Sequence, residues 1–221
     1  MVNEPERLTA ADFQRIVGVS RETQDKFDRY AAMLTKWTAA INLISPRSLP
    51  DLWRRHFLDA AQLRQYLPDP KETAERTILD LGSGGGFPGL VLSILGCGHV
   101  HLVESDQRKA VFLREVARET GARATVHAVR VEALDLFPVD AVTCRAFAPL
   151  PKILDLSERF LRADCGKDRP IGLFLKGRNV DQELTEAGKT WRLQTERFES
   201  ITDPEGSILR LKLLPVEDSA S

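Results

Sequence analysis

The stretch Ile78-Leu-Asp-Leu-Gly-Ser-Gly-Gly-Gly-Phe-Pro-Gly89 constrains this chain more than any other. An apolar run of strand type feeds directly into glycines, and Asp80, Gly82, Gly84 and Gly86 give the pattern apolar-Asp-apolar-Gly-x-Gly-x-Gly. Glycine at these positions lets the turn close tightly and lets backbone approach a ligand with no Cβ between them. A helix starting just beyond aims its first N–H groups at whatever lies over the turn. Glu104 ends the next strand-like run, His99–Val103. A carboxylate about 20 residues past such a turn is where α/β nucleotide sites hold ribose hydroxyls. The pattern points to a parallel α/β sheet that binds an adenosine-type cofactor.

Two cofactors compete for the turn. Gly84, Gly86 and Gly89 also satisfy the dinucleotide spacing G-x-G-x-x-G, and Glu104 suits either. Three details favour S-adenosyl-L-methionine. Asp80, two residues before the first glycine, can engage the ammonium of a methionine moiety directly or through water, whereas it repels a pyrophosphate. Pro88 is placed to start the helix after the turn. Two β-rich runs, Trp191–Ser200 and Ser207–Leu214, flank Asp203-Pro-Glu-Gly206 and read as an antiparallel hairpin added to the sheet.

From residue 78 onward the elements alternate. Strands are expected at 78–81, 99–104, 124–128, 139–144 and 171–175, with helices at 88–95, 107–120 and 151–162 between them. The fold class is therefore α/β, a Rossmann-like sheet of the class I S-adenosylmethionine-dependent methyltransferase type with a C-terminal hairpin. Ligands in such sheets lie at the carboxyl ends of the strands. Glu104, Glu132, Arg145 and Lys176 all fall there. Ahead of the sheet, Phe27, Tyr30, Leu34, Trp37 and Ile41 step by three and four along one helix face. Ser48 and Asp51 resemble a capping box for a second helix carrying Trp53, Phe57, Ala60, Leu63 and Leu67. This N-terminal helical extension, residues 1–70, is expected to pack on a catalytic domain, 71–221, with Pro68-Asp-Pro70 as the hinge.

A chain of 221 residues with 43% hydrophobic and 29% charged side chains is of ordinary globular make-up. Its apolar runs are too short to span a bilayer, and the acidic start carries no secretory pattern. Cys97, Cys144 and Cys165 lack metal-ligand spacing, as expected in a reducing compartment, so the expected address is the cytoplasm. A net charge of −1 argues against indiscriminate nucleic-acid binding but leaves room for a local basic patch. Arg47, Arg54, Arg55, Arg145, Lys176 and Arg178 are its candidates.

Taken in order, several stretches resemble the ribosomal RNA small subunit methyltransferase G family, also called the glucose-inhibited division protein B family. They are Asn42-Leu-Ile-Ser45, Arg55-His-Phe-Leu-Asp59, the 79–89 turn, Val103-Glu-Ser-Asp-Gln-Arg-Lys109, Phe112-Leu-Arg-Glu115, Arg145-Ala-Phe-Ala148 and Leu175-Lys-Gly177. The resemblance implies methyl transfer from S-adenosyl-L-methionine to N7 of a guanine in bacterial 16S rRNA, near the decoding region. It further implies that Gly82, Phe87, Val131, Glu132 and Arg145 contact the cofactor, to which the turn itself adds Gly84 and Glu104. The implied partner is 16S rRNA or the 30S subunit; a helix carrying Arg54, Arg55 and His56, of which the resemblance includes Arg55-His56, is expected beside the strand-end rim with Lys176 and Arg178, where RNA would meet them. Gly85, Ala60 and Cys144 depart from commoner family residues without removing a group that the chemistry requires.

Guanine N7 carries a free lone pair. It attacks a sulfonium methyl with no proton to remove first, so no general base is expected. Arg145 is suited to a cofactor carboxylate or to guanine O6, and Phe147 to stacking on the base or to packing in the core. The rival functions are a small-molecule methyltransferase on the same fold, an NAD-dependent dehydrogenase, and a cofactor-binding protein without catalysis.

Overall fold

Five parallel strands and an antiparallel hairpin form one seven-stranded sheet in a computed structural model, which describes residues 7–69, 75–163 and 169–215. The strands are β1 (Thr77–Leu81), β2 (His99–Val103), β3 (Ala124–His127), β4 (Ala141–Arg145), β5 (Ile171–Lys176), β6 (Leu193–Glu199) and β7 (Ser207–Leu213). Their order is β3-β2-β1-β4-β5-β7-β6. β1 pairs with β2 on one side and β4 on the other, both parallel, so the chain reverses direction across the sheet beside β1. β7 runs antiparallel to β5, with Leu175 opposite Ile208, and β6 closes the edge against β7.

The central strands read as unbroken apolar runs because both faces are covered. Ile78 belongs to one core cluster and Leu79 to the other, as the two-residue period of a strand requires. One face carries α4 (Gly89–Ile94), α5 (Gln107–Thr120) and the N-terminal helices α1 (Ala10–Val17) and α2 (Arg21–Thr38). The other carries α6 (Leu150–Leu161) and α7 (Val180–Ala187). Local chemistry sets the helix ends. Asp106 caps α5 by accepting from the N–H groups of Arg108 and Lys109, and Gly121 ends it at φ +65°.

The aromatic stripe of α2 packs as its period demands. Phe27 and Tyr30 meet Phe57 at ring separations of 5.6 and 5.1 Å, and Tyr30 stacks on Phe87 of the glycine turn at 5.4 Å. The expected second helix is not one regular helix. It runs as 3-10 turns over Pro46–Asp51, π-helical turns over Trp53–Leu58, a single α turn (α3, Asp59–Ala61) and a further 3-10 stretch, Gln62–Tyr66. Pro50 lies inside the first of these, where its missing N–H interrupts the ladder. Ser45, not Ser48, is the cap, because the Ser48 hydroxyl is drawn to His56. Pro88 precedes α4 as its N-cap and is not its first residue. Helices α1 and α7 are additional to the sequence expectation, although Thr9 and Asp12 form a reciprocal capping box readable in the chain. Pro70, Cys165 and the first six residues lie outside the described residues.

Candidate functional site

The ends of the parallel strands open onto a cleft of about 1530 Å³ beside the reversal point of the sheet. The glycine turn forms its floor. Gly82, Gly84 and Gly86 have φ of +63°, +52° and +92°, a region that side chains with a Cβ adopt only with strain. A Cβ on Gly82 would come within 2.2 Å of the Phe147 ring, and one on Gly86 within 2.4 Å of the Tyr30 hydroxyl. At Gly84 a Cβ would meet nothing closer than the Gly82 carbonyl at 3.7 Å, so that glycine keeps a cradle open on the cleft. Tyr30 reinforces the turn by donating its hydroxyl hydrogen to the Gly85 carbonyl.

Glu104 is 8% exposed and lines the cleft. One carboxylate oxygen accepts from the Gly84 N–H at 2.9 Å and the other from the Asp106 N–H at 2.8 Å. A carboxylate has about four acceptor sites, so both oxygens retain capacity for hydroxyl donors. Val131 and Glu132 lie on a short 3-10 turn after β3 and also line the cleft. Arg159 donates to the Val131 carbonyl at 2.6 Å and anchors that turn from α6. Gly84's open cradle, Glu104 and the 131–132 turn together fit an adenosine moiety.

Asp80 sits beneath the turn, under Gly89. It is fully buried, does not line the cleft, and accepts from the Thr143 hydroxyl of β4 at 2.8 Å. Its other oxygen lies under Gly89, where an added Cβ would sit 2.8 Å away. Burial pushes its carboxyl up to about 6. The carboxylate braces β1 against β4 from beneath the turn through one oxygen, while the other is buried without a hydrogen-bond partner among the described residues.

Arg145, at the end of β4, is held by residues 86 to 90 positions earlier. Its guanidinium donates to the Arg55 carbonyl at 2.9 Å, to Asp59 Oδ2 at 3.2 Å and to His56 Nδ1 at 2.7 Å. It also lies 4.8 Å over the Phe87 ring. Because arginine can only donate, His56 Nδ1 must accept. The proton of His56 is then on Nε2, which donates to Ser48 Oγ at 2.8 Å, and Ser48 passes its own hydrogen to the Ser45 carbonyl at 2.7 Å. Burial, with Arg145 and Arg55 adding positive charge, drives His56 down to about 3, so it is neutral. The next residue, Ala146, has φ +48°, which turns the chain and places Phe147 over Gly82.

The basic candidates divide. Arg54, Arg55, Arg145 and Lys176 line the cleft, whereas Arg47 and Arg178 do not. Arg55 is exposed and does not pair with Asp59, whose carboxylate is taken by Arg145 and Thr202. Arg54 lies 3.5 Å from Asp51. Lys176 is not a free cation at the rim. Its ammonium lies 2.5 Å from Glu183, and its side chain is 7% exposed. Glu183 also accepts from the Leu150 N–H at 2.7 Å, so the pair ties β5 and α7 to the start of α6. Arg178 is exposed and pairs with Glu205 at 3.3 Å. Lys109, Arg130 and Lys152 also line the cleft, and no sequence signal marks them as a group. They lie on helices or turns where charge is ordinary, and only assembly brings them together. Cys144 is fully buried, and burial pushes its thiol far up, so it offers no thiolate.

A family model described as GidB, rRNA small subunit methyltransferase G, matches residues 23–209. A ribosomal RNA small subunit methyltransferase G of Rhodospirillum rubrum is 53% identical over 204 residues, covering 92% of this chain and 97% of that protein. One from Rhodospirillum centenum is 54% identical over 202 residues, covering 91% and 89%. Among solved structures, an O-methyltransferase from Bacillus cereus aligns with a TM-score of 0.54 at 13% identity, over 84% of this chain and 91% of that one. The fibrillarin/Nop5p complex aligns at 0.53 and 15% identity, over 73% and 82%. At such identities these structures share the fold.

Proposed function

The chain belongs to the GidB family, the rRNA small subunit methyltransferases G, and from that premise we propose that it methylates N7 of a guanine in bacterial 16S rRNA near the decoding region. It is an S-adenosylmethionine-dependent methyltransferase. That cofactor supplies a methyl group on a positively charged sulfur, open to attack by a lone pair. Gly82, Gly84, Phe87, Glu104, Val131, Glu132 and Arg145 are the residues proposed to hold it. In this reading residues 1–70 form a helical extension on the catalytic domain, 71–221, and bring Arg54, Arg55 and His56 to the rim.

The observation that carries N7 as the acceptor is the commitment of the titratable groups that surround Arg145 at the end of β4. His56 has one ring nitrogen accepting from Arg145 and the other donating to Ser48. Asp59 is bonded to Arg145 and Thr202, and Cys144 is a buried thiol. None of them is placed to take a proton from an attacking group. Guanine N7 has no proton to give, and it matches a site that works by alignment. The ion pair with Asp59 also offsets the Arg145 charge, which would otherwise oppose the positive charge arriving on the base.

RNA phosphates are assigned to Arg55 with Arg54, Lys109, Arg130 and Lys152; Lys176 keeps a structural ion pair. The test is transfer of radiolabelled methyl from S-adenosylmethionine to 30S subunits and to protein-free 16S rRNA. The modified base is then located by reductive strand scission at 7-methylguanine. Label at one guanine is expected. Label confined to an exocyclic amine or to a small-molecule acceptor would overturn the proposal.

A further inference from the structure

Among the described residues, five large apolar side chains stand exposed, and two of them, Val129 and Ile201, line the cleft. Ile201 is the most exposed of the five, at 60%. The order of the sheet sets these two far apart. Val129 follows β3 at one edge and Ile201 follows β6 at the other, with five strands between them. Strands spaced about 4.8 Å apart put roughly 25–30 Å between those edges. The proposed cofactor residues occupy the ends of β3, β2, β1 and β4, the half that contains Val129. The other half, from β4 across β5 to the β6–β7 connection, is left for the methyl acceptor.

That connection is fixed from below. Gln62 Oε1 accepts the Ile201 N–H at 3.0 Å, and Gln62 Nε2 lies 3.1 Å from Ser200 Oγ. Thr202 donates its hydroxyl to Asp59 Oδ1 at 2.6 Å, while the other Asp59 oxygen holds Arg145. One carboxylate thus joins the connection to the end of β4. The residues on either side of Ile201 turn their polar groups inward, and its apolar side chain is held outward over the cleft. Folding gains little from an isoleucine left in water. What distinguishes it from an ordinary exposed isoleucine is its place on the cleft, on a connection pinned by Gln62 and Asp59.

We propose that Ile201 is a base-contacting residue, its side chain packing on the face of a nucleobase next to the methylated guanine. This rests on the reading of rRNA as substrate. Unpaired RNA bases present flat apolar faces once splayed from the stack, and the cations of the cleft are suited to the phosphates between them. In this arrangement the pinned connection limits how the strand enters, and Gln62 acts as a positioning residue through Ile201.

The experiment compares wild type with Ile201→Ala, Ile201→Asp, Ile201→Leu and Gln62→Ala. Because Ile201 is exposed, its variants should melt with wild type. For Ile201→Ala, kcat/KM for 30S subunits and affinity for protein-free 16S rRNA should both fall about tenfold, the order expected when most of a desolvated isoleucine side chain is removed. Ile201→Asp should fall further and Ile201→Leu should recover most of the loss, all with unchanged affinity for S-adenosylhomocysteine. Gln62→Ala combined with Ile201→Ala should lose less than the sum of the two. Unchanged RNA parameters in Ile201→Asp would overturn the inference. So would a defect confined to 30S subunits, which would put a protein on Ile201. If wild type labels no rRNA in the same assay, the substrate reading itself fails and the inference falls with it.

Discussion

Gly82→Ala tests the glycine turn with the smallest possible change. Two costs follow from the structure. Alanine must adopt φ +63°, which disfavours an L-residue by about 1–2 kcal/mol. Its Cβ would also lie 2.2 Å from Phe147 Cδ2 and 2.7 Å from Cε2, so the ring must move, an overpacking cost of about 1–3 kcal/mol. The sum is about 2–5 kcal/mol. For a chain of this length each kcal/mol lowers Tm by about 2–4 °C. Displacing Phe147 also alters the wall above the turn, so the variant should lose its response to S-adenosylhomocysteine. In wild type, ligand at a hundred times its Kd adds about 2.7 kcal/mol of stability. Differential scanning fluorimetry with and without ligand measures both quantities. Gly82→Ala combined with Phe147→Ala separates the two costs. Removing the ring should relieve the collision and leave only the backbone term, giving a double variant more stable than additivity requires. A Gly82→Ala protein with wild-type Tm and a full ligand shift would refute the reasoning. Strict additivity in the double variant would refute the collision.

Glu104→Ala should weaken S-adenosylhomocysteine binding by tenfold or more while leaving RNA affinity intact, since hydrogen bonds to a charged group contribute about 1.5–3 kcal/mol; titration calorimetry against filter binding decides it. Arg55→Ala should weaken RNA binding and flatten its salt dependence by about one unit of log–log slope. Lys176→Ala should instead lower Tm, because it strands Glu183 beside the Leu150 N–H with no cation; parallel salt slopes in wild type and Arg55→Ala would contradict the first assignment. Stability should also fall as pH drops from 7 to 5. His56 and His101 are driven down to about 3 and 4, mainly by burial, so the unfolded chain takes up protons below about pH 6.5 that the fold refuses. His127 is lowered as well, mainly by burial, and Asp80, raised to about 6, works the other way below that pH, one group against three. His56 alone contributes about 2 kcal/mol between pH 6.5 and 5, and His56→Gln should flatten the urea-midpoint profile; a wild-type midpoint that rises toward pH 5 would contradict the sign.

What the sequence determined by itself was whatever rests on local chemistry. Helix α5 is bounded as expected, at 107–120, because Asp106 and Gly121 end it without help from the rest of the chain. The strands lie within two residues of their expected bounds, since buried parallel strands leave continuous apolar runs. The turn was legible because three of its glycines occupy positive φ, a demand made by the backbone alone. Tertiary structure decided how the charged groups are used. Arg145 is near its partners only because β4 ends beneath residues 55–59, and nothing within a few positions of it announces Asp59 or His56. The same holds for Lys176, which reads as a rim cation until Glu183 folds against it, and for Asp80, whose place beneath Gly89 and against Thr143 nothing in its local sequence announces. A side chain's conformational preference is set by its neighbours in the chain, but the charge it meets is set by burial and by contacts across the fold. The sequence could therefore mark the glycine turn, and only the assembled cleft fixed which of the polar groups around it are already paired.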